Sequence, residues 1–294
     1  MASPLDSQHE FLVGIDSDGC AFDTMELKHK ECFIPNIIQH FGMQPISKYA
    51  REVAEFVNLY STSRGKNRFP ALIETFAWLK KRPEVAARGW NHEVPAALVE
   101  WVQNETMLSN PSLEKAIANN SADATKVTEL RHALAWSESV NKTIGEMVRG
   151  VPPFPGVHAC LDRLATKADI LIVSATPNEA LEREWAEHDL SQFVTAICGQ
   201  ESGSKKESLA VASKYPQGKA LMIGDAPGDL SAANANGVLF FPINPGGEED
   251  SWRQFADEGL DRFLQGTFAG SYQQALLDEF NQRLPATPPW PVCD

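Results

Sequence analysis

From residue 157 onward, short apolar runs alternate with amphipathic segments, and this rhythm admits few folds. A helical pattern over 157–166 leads into Ile170-Leu171-Ile172-Val173-Ser174, and a second over 178–187 leads into a strand over 193–198. A third over 206–213 precedes Ala220-Leu221-Met222-Ile223-Gly224, and a fourth over 229–236 precedes Val238-Leu239-Phe240-Phe241. Strands alternating with helices imply a parallel sheet covered on both faces. Such sheets carry their chemistry at the carboxyl ends of the strands.

One further apolar run stands far upstream. Phe11-Leu12-Val13-Gly14-Ile15 has the composition of a fully buried strand and ends in Asp16-Ser17-Asp18-Gly19-Cys20. Two carboxylates this close repel unless a cation or a shared proton compensates, and Gly19 lets the backbone turn sharply. Taken alone, Asp-x-Asp reads more readily as a polar turn.

Between that strand and residue 149 the pattern is helical throughout. Apolar positions recur at three- and four-residue intervals, as in Phe33, Ile34, Ile37, Ile38 and Phe41, then Leu72, Phe76 and Leu79, then Leu98, Trp101 and Val102, then Val127, Leu130 and Leu134. The stretch Gly150-Val-Pro-Pro-Phe-Pro-Gly156 cannot continue a helix and reads as a linker. The tail carries two more amphipathic helices, around Trp252–Phe263 and Tyr272–Phe280, and a Pro-rich end expected to be loose. The expected architecture is therefore α/β: a Rossmann-like core of about five parallel strands with helices on both faces, from residues 1–24 and 150–294, and an inserted all-helical cap over 25–149.

The bulk numbers narrow the function. The 294 residues are 43% hydrophobic and 22% charged, an ordinary globular composition. A formal charge of −13 disfavours nucleic acid and anionic membranes as partners, so an anionic substrate needs local positive charge or a metal. The opening residues lack a basic and an apolar signal region, and no stretch approaches the length of a membrane span, which points to a cytoplasmic protein. Five scattered cysteines without a Cys-x-x-Cys pair read as reduced thiols.

The residues at the strand ends are Asp16 and Asp18, Ser174, and Asp225 with Asp229, and Gly203-Ser-Lys205-Lys206 lies between the third and fourth strands. In this order the motifs resemble the haloacid dehalogenase-like hydrolase superfamily, and the helical block resembles its C1-type cap. The resemblance covers the chain apart from the tail. It implies a Mg²⁺-dependent phosphatase acting on a small phosphorylated metabolite through an aspartyl phosphate. By the same resemblance Asp16 is the nucleophile and Asp18 the general acid/base, and Ser174 binds a phosphoryl oxygen. A lysine neutralises another oxygen and holds Asp16 ionised. Mg²⁺ would be held by Asp16, the backbone carbonyl of Asp18, Asp225 and Asp229.

Local readings stay open beside these roles. Ser174 fits a helix cap, and Asp225 and Asp229 fit a turn and an N-cap. Either Lys205 or Lys206 could be the basic residue, and the spacing of Lys205 to Leu209 is the better match to the family pattern. Asp18 argues against dehalogenase activity, which does not need a second acid. Cys20 stands where the family usually has threonine or valine, and no basic partner beside it suggests a nucleophile. In the cap, Arg64, Lys66 and Arg68 are candidates for contact with an anionic substrate, with a solvated loop as the plainer alternative. Glu26, Lys28 and His29 stand just past the hinge and are further candidates. A phosphomutase with the same site, or a non-catalytic binding protein on this fold, are the alternative functions, and oligomeric state is not legible.

Overall fold

The computed structural model describes residues 7–293. Residues 1–6 and Asp294, assigned above to the core, lie outside the described residues. The chain divides into two compact units, one formed by residues up to Met25 with Arg149–Leu284, the other by Glu26–Val148 with the residues from Pro285. Among the described residues, no helix is long and apolar enough to cross a membrane.

The first unit is an α/β layer built on five parallel strands: β1 (Phe11–Ile15), β2 (Ala168–Val173), β3 (Ala196–Cys198), β4 (Ala220–Gly224) and β5 (Leu239–Pro242). Their order across the sheet is β3-β2-β1-β4-β5. The central strand β1 is buried along its whole length, as an apolar run covered on both faces must be. Its register sets Ile15 beside Ile223 of β4, so that Asp16 and Asp225 leave neighbouring strands at the same rim. This is where the strand order reverses, the place at which open α/β sheets form a crevice.

One glycine fixes how the basic helix meets the sheet. A methyl group at Gly14 of β1 would lie 2.9 Å from Leu209 Cδ2 and 3.0 Å from Met222 Sδ. Leu209 therefore packs directly on the β1 backbone. It closes the short helix Lys205–Leu209, and Lys205, one turn earlier on the same face, is carried to the strand ends. Burial of a side chain such as Leu209 is worth roughly 1.5–3 kcal/mol, enough to hold that register. The third strand is shorter than its apolar run suggested, because Ser191–Phe193 forms a tight helical turn and leaves only Ala196–Cys198 at the sheet edge.

The second unit is all helical. Its core gathers Phe41, Phe69, Phe76, Trp101 and Trp136, with the Phe69 and Trp101 rings edge to face at 4.9 Å. The long helix Ala124–Met147 starts from Asp123, whose carboxylate accepts the N–H groups of Thr125 and Lys126. The tail departs from the expectation of a loose end attached to the core. Trp290 packs against Phe56 with centroids 5.5 Å apart and stacks on Arg82, and the Cys293 N–H donates to the Lys81 carbonyl at 2.7 Å. An aromatic ring and a buried guanidinium outweigh the conformational freedom that proline-rich composition suggests. All five cysteines are free thiols, four of them buried.

Candidate active site

Asp16 follows β1 directly, and its backbone N–H donates to Ile223 O of β4 at 3.0 Å. The residue is 6% exposed. Its Oδ1 accepts the Ser17 N–H at 2.8 Å, and its Oδ2 lies 2.6 Å from Lys205 Nζ. The same ammonium lies 2.6 Å from Asp229 Oδ1. Asp229 is fully buried in the first turn of the helix Pro227–Ala235, where its Oδ2 accepts the N–H groups of Asp225 (3.1 Å) and Ala226 (3.0 Å). The N-cap is Ala226, so Asp229 is not the cap that local sequence reasoning allowed; from the third helical position its carboxylate reaches back to the N–H of that cap and also contributes to the rim.

Asp16, Asp225 and Asp229 each bring a carboxylate oxygen within 4.8 Å of the others, and all three residues are buried. Three carboxylates face one ammonium. Burial pushes the Asp16 carboxyl well above its usual range; Lys205 opposes this, while Asp229 and Asp225 add to it. Lys205 loses by desolvation and gains more from Asp16 and Asp229, so its pKa is raised and it stays charged. The donor set consists of hard oxygen ligands in excess negative charge, which suits Mg²⁺. Of the two candidate lysines, Lys205 is the one at the carboxylates.

Asp18 stands apart from this cluster. Its carboxylate accepts hydroxyl hydrogen bonds from Thr24 and, at 2.8 Å, from Thr176. Ser174 is buried at the end of β2, where its N–H donates to Cys198 O at 3.0 Å and its Oγ accepts the Thr176 N–H at 3.2 Å. Thr24 and Thr176 escaped the sequence reading. Thr176 carried a signal in the hydroxyl-rich Ser174-Ala-Thr176 at a strand end, whereas Thr24 carried none. Cys20 is buried, and burial with the nearby Asp225 and Asp16 charges pushes its thiol well up, so it is a poor nucleophile.

The three cap cations are engaged inside the helical unit. Arg64 is 2% exposed and donates to Leu59 O at 2.9 Å. Lys66 pairs with Glu74 at 3.0 Å. Arg68 donates to Ser137 O, Ser137 Oγ and Asn141 Oδ1 and lies 5.0 Å from the Phe33 ring, and burial lowers its pKa to about 10. Glu26 pairs with Lys30 and accepts from the Tyr60 hydroxyl, and His29 stacks on Phe33 at 4.6 Å.

Residues 101–243 match the family model of haloacid dehalogenase-like hydrolases. Over that stretch, just under half of its length, the chain is similar to the haloacid dehalogenase-like hydrolases. The matched stretch contains Ser174, Lys205, Asp225 and Asp229, and the pairing of β1 with β2 and β4 brings Asp16 to the same rim. Solved structures similar to this chain include a haloacid dehalogenase-like family hydrolase from Streptococcus pneumoniae, at 14% identity and a TM-score of 0.45, covering 83% of this chain and 90% of that one. Another is a haloacid dehalogenase-superfamily hydrolase from Bacteroides fragilis, at 14% identity and a TM-score of 0.48, covering 82% and 92%. A third, from Lactobacillus plantarum and provisionally described as a phosphoglycolate phosphatase, has 14% identity and a TM-score of 0.42, covering 84% and 91%. No curated protein matches the sequence.

Proposed function

We propose that this chain is a Mg²⁺-dependent phosphatase that hydrolyses a small phosphorylated metabolite through an aspartyl phosphate on Asp16. The observation that carries the reading is Lys205 Nζ at 2.6 Å from both Asp16 Oδ2 and Asp229 Oδ1, beside a third buried carboxylate, Asp225. Phosphoryl transfer needs a nucleophile fixed in line and positive charge around the phosphoryl oxygens. Lys205 supplies one such charge and favours the ionised Asp16. Asp16, Asp225 and Asp229 would hold Mg²⁺, with the Asp18 backbone carbonyl as a further ligand. When bound, the ion neutralises phosphoryl oxygens as charge develops.

Asp18 is the acid/base group. It would protonate the leaving alkoxide and then take a proton from the water that cleaves the acyl phosphate on Asp16. The Thr24 and Thr176 hydroxyls, one on each carboxyl oxygen, hold the Asp18 side chain in place for both steps. Ser174 Oγ and the neighbouring amides would bind a phosphoryl oxygen. Of the three cap cations Arg64, Lys66 and Arg68, Arg68 is the proposed contact of the helical unit with an anionic substrate, since Lys66 is paired with Glu74 and Arg64 is buried on Leu59 O. Retention of both Asp16 and Asp18 supports hydrolysis over a non-catalytic role.

A panel of phosphorylated metabolites tests the reading. Free phosphate is expected with Mg²⁺, nothing with EDTA, and nothing from Asp16→Asn. Isomer formation in place of phosphate release overturns the phosphatase reading in favour of a mutase, and unaltered turnover by Asp16→Asn overturns the chemistry altogether.

A further inference from the structure

Ser17, between the two aspartates, is fully buried and is the hub of their loop. Its N–H donates to Asp16 Oδ1 at 2.8 Å, and its carbonyl accepts the N–H groups of Ala21 and Phe22, each at 3.0 Å. Its hydroxyl accepts from Trp185 Nε1 at 3.0 Å and donates to Glu184 Oε2 at 3.0 Å. The direction is forced. An indole N–H can only donate, and a hydroxyl has one proton, which must then go to the carboxylate. Trp185 and Glu184 are adjacent on the helix Asn178–Glu187, and Trp185 is locked edge-on against Phe22 with centroids 5.5 Å apart.

Packing alone does not require these bonds. In the helical unit, Trp101 and Trp136 bury their indole nitrogens with no partner among the described residues. In the α/β unit both tryptophans spend theirs on this loop, Trp185 on Ser17 and Trp252 on Cys20 O at 2.7 Å. We infer that Glu184 and Trp185 are positioning residues for Asp16, acting through Ser17. They fix the Ser17 backbone so that its N–H pins Asp16 Oδ1 while Lys205 holds Oδ2. The inference rests on the reading of Asp16 as nucleophile and cation ligand. Small misplacement of a reacting group costs up to about a hundredfold in rate, so the clamp belongs to kcat rather than to substrate affinity.

The test compares Ser17→Ala, Glu184→Ala, Glu184→Gln and Trp185→Phe in the full chain, for turnover and for Mg²⁺ affinity by calorimetry. Ser17→Ala and Glu184→Ala are expected to lower kcat about tenfold or more with KM within about twofold. Trp185→Phe should give a smaller loss of kcat. Glu184→Gln keeps an acceptor for the Ser17 hydroxyl and should keep most of kcat. The Ser17→Ala/Glu184→Ala double variant should fall no further than the worse single one. Glu184→Ala should also weaken Mg²⁺ about tenfold, as removal of outer-shell support does, and Glu184→Gln should not. If Ser17→Ala does not fold, the two Glu184 variants carry the comparison alone.

Full kcat in both alanine variants, losses that multiply in the double variant, or a loss confined to KM overturns the inference. A wild-type chain that binds Mg²⁺ but hydrolyses no phosphomonoester overturns the phosphatase reading instead, and the affinity comparison then decides the positioning role. A wild-type chain that binds no divalent cation overturns both.

Discussion

Asp229 leans directly over Gly224: a methyl group on Gly224 would lie 2.5 Å from Asp229 Cβ and 2.6 Å from its Cγ and Oδ2. The last residue of β4 must therefore be glycine for the Asp229 carboxylate to reach Lys205 and the amides of Asp225 and Ala226. The clash involves Cβ, which a rotamer change cannot move aside. Gly224→Ala is expected to lower kcat by about a hundredfold while the chain still folds, because a shift of about 1 Å at a charged reacting centre has that cost. Steady-state kinetics beside far-UV circular dichroism checks it; turnover within twofold or so of wild type would remove Asp229 from the site.

Adjacent lysines give a matched pair of variants. Lys205 bridges Asp16 and Asp229. The contact recorded for Lys206 is its backbone carbonyl, which accepts from Asn236 Nδ2 at 2.9 Å. Lys205→Met should abolish measurable turnover, and Lys206→Met should leave kcat/KM within about twofold, as surface substitutions usually do. Equal losses in both variants would contradict the geometry.

The cap cations separate in the same way. The Lys66 ammonium is neutralised by Glu74 and donates to Ser63 Oγ, whereas among the described residues the hydrogen bonds of Arg68 go to neutral acceptors only. A buried guanidinium without a carboxylate is the better anion receptor. Arg68→Ala should raise KM for the true substrate about tenfold or more, and Lys66→Ala should not, on the magnitude of one charged hydrogen bond. Substrate saturation curves distinguish them, and an unchanged KM in Arg68→Ala excludes that contact.

What could be read from the sequence follows a physical divide. Asp16 and Asp225 were legible because strand period fixes where a residue lies along its element and parallel strands put those ends together, whereas the sequence left Lys205 and Lys206 open and favoured Lys205 only through the family pattern. Glu184 and Trp185 were not, since on an amphipathic helix Trp185 reads as core and Glu184 as solvent; only the meeting of that helix with the loop at Ser17 gives them a joint role. Thr24 has no local signal at all. The tail misled because proline counts report on the unfolded chain, whereas one ring on one guanidinium decides whether the segment is held.

Stability in acid should depend on Asp169, at the opposite end of β2. Its carboxylate accepts the Tyr215 hydroxyl at 2.6 Å, the N–H groups of Gln8 and His9 at 3.0 and 3.2 Å, and His9 Nδ1 at 3.0 Å. Burial raises its pKa, but these bonds, Tyr215 first, outweigh it and the net shift is downward from 3.8. The folded state therefore binds the proton less readily than the unfolded one. Asp169 contributes stability above its ordinary pKa and loses that contribution as pH falls through the lower, folded value. Asp169→Asn should cost roughly 1.5–3 kcal/mol near neutral pH, the worth of hydrogen bonds to a charged group. The gap between variant and wild type should close in strong acid. Urea titrations at a series of pH values measure it; a gap independent of pH would mean that the residue acts by shape alone.

The C-terminal segment offers the last prediction. Arg82, 5% exposed, lies between the Tyr49 ring at 4.7 Å and the Trp290 ring at 4.5 Å, and it pairs with Glu52 and Glu84. Removing Trp290 would strip one face from a desolvated cation and uncover Phe56, so two costs add: about 1–2 kcal/mol for a desolvated cation–π contact and a further apolar term of similar size. Trp290→Ala should thus destabilise the helical unit by about 2–4 kcal/mol, Trp290→Phe by less than half of that, and truncation after Leu284 by at least as much as the alanine. Hydrogen exchange resolves where the loss falls, with protection expected to drop within 26–148 and to hold in the five strands. If truncation leaves exchange in the helices unchanged, the tail is a passenger on that unit, and the stacking on Arg82 contributes nothing to its stability.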